Sequence, residues 1–105
     1  MAKPKFSLTP KPSFQATVKI PVPGEGAADV VFTFKARTRE QMRSFHDEVK
    51  DLENVDLILY VASAWDLEDP FDKDNITRLT ENYLGATAAI FDKYLTELTQ
   101  ARLGN

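Results

Sequence analysis

From Phe14 to Val22, FQATVKIPV, apolar residues alternate with polar or prolyl ones, so Phe14, Ala16, Val18, Ile20 and Val22 share one side. A period of two is that of a strand with a single buried face. Pro21 has no N–H to give to a ladder and marks a strand end or an edge. Pro23-Gly24-Glu25-Gly26 follows as a turn, in which the glycines supply the positive φ such connections use. Asp29 to Ala36, DVVFTFKA, alternates again with Val30, Phe32 and Phe34 on one face, which predicts the return strand of a β-hairpin. Two strands alone are marginal in water, so the apolar face is expected to pack on helices or on another subunit.

Beyond Ala36 the period becomes helical. Thr38 with Gln41 has the form of a capping box, each side chain satisfying an exposed backbone donor near the other. Met42, Phe45, Val49 and Leu52 then recur at helical spacing and predict one helix closing near Asn54. Val55 to Ala64, VDLILYVASA, is apolar nearly all round after Asp56, and periodicity does not separate a buried strand from a buried helix there. The small residues Ala62, Ser63 and Ala64 and the short connection at Asn54 favour a helix.

An acidic elbow follows, with the single tryptophan, Trp65, and a Pro70-Phe71 break. It is expected to set the angle between two helical pairs. Asp74 is the expected N-cap of a helix from Asn75 to Leu84, with Ile76, Leu79, Tyr83 and Leu84 inward and Gly85 as its C′ glycine. The last helix, from Ala86 to about Ala101, buries Ile90, Phe91, Tyr94, Leu95 and Leu98 and turns Asp92, Lys93, Glu97 and Gln100 to water. Together these elements predict an α+β fold in one domain. Residues 1–13 form an extended arm, 14–36 a two-stranded hairpin, and 38–103 a bundle of about four α-helices.

Composition narrows the function classes. A chain of 105 residues, 43% hydrophobic, is long enough for one modest core and too short for two. It has no cysteine, which removes disulfides, thiolate metal sites and a cysteine nucleophile, and fits a reducing compartment. The start, MAKPKFSLTPKPSF, lacks an apolar h-region, and the apolar run Leu57 to Ala64 is far below a membrane span. A cytoplasmic protein without membrane contact is expected, in which the Asn75-Ile76-Thr77 sequon has no meaning.

The net charge of −3 conceals a division. Residues 1–44 carry eight Lys/Arg against three Asp/Glu, a balance of +5, whereas residues 45–105 stand at −8. The basic residues are scattered among prolines and strand positions rather than gathered on a face with aromatics, so nucleic-acid binding is not expected. The asymmetry suits head-to-tail self-association or steering of a charged partner.

Candidate chemistry is sparse. Asp66, Glu68, Asp69, Asp72 and Asp74 fall within nine residues, but no starting position gives the ligand spacing, sixth-position glycine and twelfth-position glutamate of an EF-hand loop. Asp72 and Asp74 are better read as stabilising helix N-termini. Paired-carboxylate hydrolysis needs a cleft for which no second motif is present. His46 is the only histidine, so neither a triad nor a histidine zinc site is expected. Gly24-Glu25-Gly26 lacks the lysine and third glycine of a phosphate cradle. Trp65 reads first as a core anchor, with a binding contact as the other reading. Tyr60, Tyr83, Phe91 and Tyr94 likewise read as core first. No enzymatic activity, cofactor or metal is expected. The residues alone leave a helical binding or adaptor module, a homo-oligomer, with more apolar faces than a short monomer easily hides.

Several stretches carry a family resemblance across nearly the whole chain: Phe32-Thr33-Phe34-Lys35 with Arg37-Thr38-Arg39-Glu40, Ala64-Trp65-Asp66-Leu67, Asn82-Tyr83 with Gly85-Ala86, and the terminal Ala101-Arg102-Leu103-Gly104-Asn105. In these the chain resembles the small tail assembly chaperones of long-tailed bacteriophages and their prophage remnants. The resemblance implies that several copies coat the tape measure protein, a long and largely helical chain, and keep it soluble until tail tube subunits polymerise around it. It also implies the tail tube protein as a further partner, and neither enzymatic activity nor a cofactor. Trp65, Phe71, Tyr83, Phe91 and Tyr94 are the candidate partner-binding residues. The alternative is a generic intracellular homo-oligomeric adaptor or regulator.

Overall fold

In a computed structural model, residues 6–99 are described. The chain opens with the expected hairpin: strand β1 (Ser13–Val22) and strand β2 (Gly26–Lys35) pair antiparallel from Ser13↔Lys35 to Val22↔Gly26. The connection is a turn closed by Glu25 N–H donating to the Val22 carbonyl at 2.9 Å. Pro23 at its second position and Gly24 at φ +80° at its third are the signature of a type II turn. The register places Phe14 opposite Phe34, Ala16 opposite Phe32 and Val18 opposite Val30 on one face. That face is the wall of the core, with Val18, Ile20, Val30, Phe32 and Phe34 buried.

Two short helices follow where one was expected, α1 (Arg39–Arg43) and α2 (Phe45–Val49). The capping box at Thr38 and Gln41 is present in both directions. The break falls at Ser44, which sits at φ −98° and ψ −1° and whose hydroxyl hydrogen-bonds the Glu48 carboxylate at 3.2 Å. Serine in mid-helix offers the backbone a competing local partner, and the bend drops Phe45 into the core while Met42 and Val49 stay half-buried. Asn54 does not close this pair; it begins the next helix, α3 (Asn54–Val61).

The apolar run divides in two. It is helical to Val61 and then becomes strand β3 (Ala62–Trp65), with Ala62 already extended at φ −127° and ψ 157°. Continuous helix to Ala64 is therefore corrected. The cause is the free edge of β2: β3 pairs with it antiparallel, Phe32↔Trp65 and Phe34↔Ala62, with an irregularity between Thr33 and Phe34. The sheet thus has three strands in the order β1-β2-β3, and β1 is an edge strand with Pro21 next to its last residue, so both positions open to that proline are met. Asp66 extends the pairing, since its N–H donates to the Val31 carbonyl and its Oδ1 accepts from the Val31 N–H, each at 3.0 Å.

Helix α4 (Lys73–Asn82) starts earlier than expected. Its N-cap is Asp72, whose Oδ1 accepts from Asn75 N–H at 2.9 Å, and Asp74 lies in the first turn. Both carboxylates thus stabilise the helix start. The helix buries Ile76 and Thr80 and ends before Tyr83 and Leu84, which are exposed rather than inward.

Helix α5 (Ala86–Thr99) packs across β1 and buries Ala86, Ile90 and Tyr94; the expected extension to Ala101, with Gln100, lies outside the described residues. Gly85 is not a left-handed C′ glycine. Its carbonyl accepts from Ala89 N–H at the head of α5, and a Cβ there would stand 3.0 Å from the Pro21 ring. The architecture is α+β: an antiparallel three-stranded sheet with helices packed on its apolar face.

Candidate partner-binding site

The elbow is held together by aromatic contacts and by side-chain hydrogen bonds to backbone carbonyls. Trp65, at the end of β3, stands edge-on to Phe32 at 6.0 Å and to Phe71 at 5.1 Å. Its indole N–H donates to the Asp69 carbonyl at 2.6 Å and ties the loop back to the strand. Asn75 Nδ2 reaches the Pro70 carbonyl at 2.9 Å from the other side. The carboxylates are dispersed: Asp66 faces Val31 and Asp72 caps α4. Among the described residues no group of three or more His, Asp or Glu converges as metal ligands. The elbow joins β3 to α4, so it sets the angle of one helix on the sheet rather than that between two helical pairs.

Between this loop and α4 lies an open hollow of about 240 Å³, with Trp65, Leu67, Leu79 and Tyr83 as its apolar lining and Asp69, Asn75, Arg78 and Asn82 as its polar rim. Leu67 and Tyr83 are exposed, and the exposed Leu84 follows directly. The hollow thus combines accessible apolar side chains with charges of both signs, Asp69 and Arg78, at its rim. The hollow brings together Trp65 and Tyr83 from the sequence candidates, and Phe71 supports it from beneath Trp65.

Phe91 lies elsewhere. It stacks on Phe45 at 5.7 Å and forms, with Leu95, the shared floor of two adjoining grooves. One is walled by Met42, Val49 and Leu57 and has a volume of about 480 Å³. The other, of about 650 Å³, runs past Ala89 to Gly85 and Pro21.

Tyr94 offers a partner no surface at all. It is 0% exposed, packed against Phe14, Phe34 and Phe45. Its hydroxyl donates to the Lys35 carbonyl and accepts from Arg37 Nη1, each at 2.8 Å. Burial pushes the Tyr94 phenol above its ordinary pKa, and the Arg37 hydrogen bond and charge oppose that shift only in part. Placing Tyr94 among contact residues is therefore corrected: a tyrosine on the apolar stripe of a helix that crosses a sheet is enclosed by both.

Arg37, which the sequence marks only as part of the Arg37-Thr38-Arg39-Glu40 stretch and not as a site residue, is the polar centre of this region. Its guanidinium lies 4.1 Å from the Tyr60 ring centroid and also donates to the Tyr60 carbonyl at 2.8 Å. The Tyr60 hydroxyl in turn donates to Glu48. One arginine thereby links the end of the sheet to α2, α3 and α5. Its physical signal in the chain is a charge placed between the strand and the capping box. Leu67, Leu84 and the α1–α2 wall were also outside the sequence candidates, because their exposure depends on where α4 ends and where Ser44 bends the chain.

Among the described residues no helix is long and apolar enough to cross a membrane. A family model described as phage tail assembly chaperone matches residues 1–105, the whole chain. No curated protein and no solved structure matches it.

Proposed function

This chain belongs to the phage tail assembly chaperone family, and on that premise we propose that it binds the tape measure protein and keeps it soluble until the tail tube polymerises. The observation that carries the reading is the hollow beside α4, where Trp65, Leu67 and Tyr83 present apolar surface in the open. A long helical client offers apolar residues at i, i+3/i+4 and i+7 along one face, and such a face fits a shallow apolar hollow. The hollow is open, which favours modest affinity at each copy. Many copies along one client then hold it by avidity, and each copy can still leave when tube subunits arrive.

On this reading the protein works as a homo-oligomer in the host cytoplasm, with the tail tube protein as second partner and without catalysis. Trp65 and Tyr83 make the contact in the hollow and Phe71 holds Trp65 in place. Phe91 contributes from the neighbouring groove.

Co-expression with a tape measure fragment tests this directly, with the soluble yield of the fragment and its recovery in a pull-down as readouts. Leu67→Ala combined with Tyr83→Ala removes exposed side chains, for which stability changes stay within about 0.5 kcal/mol. The expected outcome is a severalfold loss of soluble fragment at an unchanged Tm. Rescue that survives the double variant would place the client elsewhere. Trp65→Ala is a poorer probe, because it also strips packing from Phe32 and Phe71.

A further inference from the structure

We infer that the hollow beside α4 selects a client helix that carries a carboxylate next to its inserted apolar side chain, and that Arg78 is the residue that reads this carboxylate. The inference rests on the hollow being the client's seat and names the chemistry preferred there. Arg78 lines the hollow from α4, and Asp69 lines it from the loop. Among the described residues neither takes part in an ion pair. For Arg78 this departs from what its own helix offers. Asp74 precedes it by one turn on α4, the spacing and order at which an acid and a base pair on a helix surface. The Arg78 guanidinium instead donates to Asn75 Oδ1 at 2.9 Å, at the rim of the hollow.

Asn75 is itself held at two points. Its backbone N–H donates to the Asp72 cap and its Nδ2 to the Pro70 carbonyl, each at 2.9 Å. The acceptor that aims Arg78 is therefore fixed to the helix start and to the loop. Asn75 is neutral, so this bond orients the guanidinium without cancelling its charge, and it occupies only one of the N–H donors. The planar fork that remains suits a carboxylate, which accepts two parallel hydrogen bonds. Trp, Tyr and Arg are the side chains enriched among the residues that dominate protein interfaces, and the hollow is lined by one of each, Trp65, Tyr83 and Arg78.

The two rim charges give the hollow a direction. Arg78 on the α4 side attracts a carboxylate, whereas Asp69 on the loop side repels one placed the other way round. The occupant is thus an amphipathic helix with an acidic residue one turn from the inserted side chain, on the side that meets α4. A helix laid in reverse would bring that carboxylate to Asp69. Copies seated along one client therefore all face the same way.

The full-length chain and its variants are titrated with a tape measure fragment at about 0.1 and about 1 M salt, between which the Debye length falls from about 10 to about 3 Å. Arg78→Gln should weaken binding severalfold at low salt with an unchanged Tm, and its binding should depend less on salt than that of the wild type. Arg78→Glu should weaken binding further, whereas Arg78→Lys should keep the salt dependence because the charge stays. Exchanging one carboxylate of the fragment for arginine should restore binding to the Arg78→Glu chain while weakening it to the wild type. Arg78 variants that bind as the wild type does, or that lose affinity with an unaltered salt dependence, overturn the inference. If Leu67→Ala with Tyr83→Ala still loses the fragment in that case, the hollow remains the seat and only its charge preference falls. If the double variant also binds normally, the seat falls with it. A fragment that the wild type does not bind overturns both.

Discussion

At the residue scale, Tyr94 and Arg37 account for the most demanding burial in the molecule. A phenol taken wholly out of water must keep its hydrogen bonds, and Tyr94 makes one as donor to Lys35 and one as acceptor from Arg37. The pair has a pH consequence. The folded-state pKa of Tyr94 is raised, so its contribution is fully present below its ordinary value of 10.0 and is lost as pH climbs through the folded value. Tyr94→Phe removes two hydrogen bonds and is expected to lose about 1–3 kcal/mol at neutral pH. The gap between wild type and variant should narrow above about pH 10, read by urea unfolding at several pH values. A gap that stays constant into the alkaline range would contradict a neutral, enclosed phenol. Tyr94 was legible as an apolar-stripe residue. That the same position could not also serve a partner was not, because enclosure depends on which face of α5 meets β1.

At the element scale, local signals worked where they were self-contained. The capping box at Thr38, the hairpin turn at Pro23-Gly24 and the strand alternation each act within a few residues, and each stands in the structure. Elements whose ends are set by a distant neighbour were misjudged. The run that ends at Ala64 is ambiguous between helix and strand on its own, and Ala62 to Trp65 becomes a strand because β2 has an edge to fill. Gly85 shows the same dependence in a single contact. Its missing Cβ makes room for the Pro21 ring of the hairpin, far away in the chain. Gly85→Ala is expected to cost about 1–3 kcal/mol through overpacking, since a ring on a paired strand yields little. In a double-mutant cycle with Pro21→Ala, part of that cost should disappear, with a coupling of about 0.5–3 kcal/mol. Strictly additive losses would show that Gly85 is needed for another reason.

On the scale of the whole molecule, stability is distributed unevenly. Strand β2 is paired on both sides and contributes Val30, Phe32 and Phe34 to the core. The α1–α2 pair consists of two five-residue helices, of which α1 buries no residue and α2 only Phe45. Local openings span the range from near zero to the global unfolding free energy according to such differences. Amide exchange should therefore be slowest in β2 and fastest across Arg39 to Val49. Equal protection in the two segments would mean that α1–α2 is held by more than Phe45.

By itself the sequence determined the hairpin with its turn and face, the capping box, the final amphipathic helix and the family, because each is written in periodicity, turn chemistry or motif along a continuous stretch. It also determined the division of charge between the basic first part and the acidic remainder, which needs only counting. The tertiary structure alone decided that the apolar run switches from helix to strand at Ala62, that Ser44 divides the second element and that Tyr83 and Leu84 face outward. It also left Phe91 at the surface of a groove. Each of these depends on an open strand edge, a ring or a helix face brought near by folding, and a chain read in order carries no term for such neighbours.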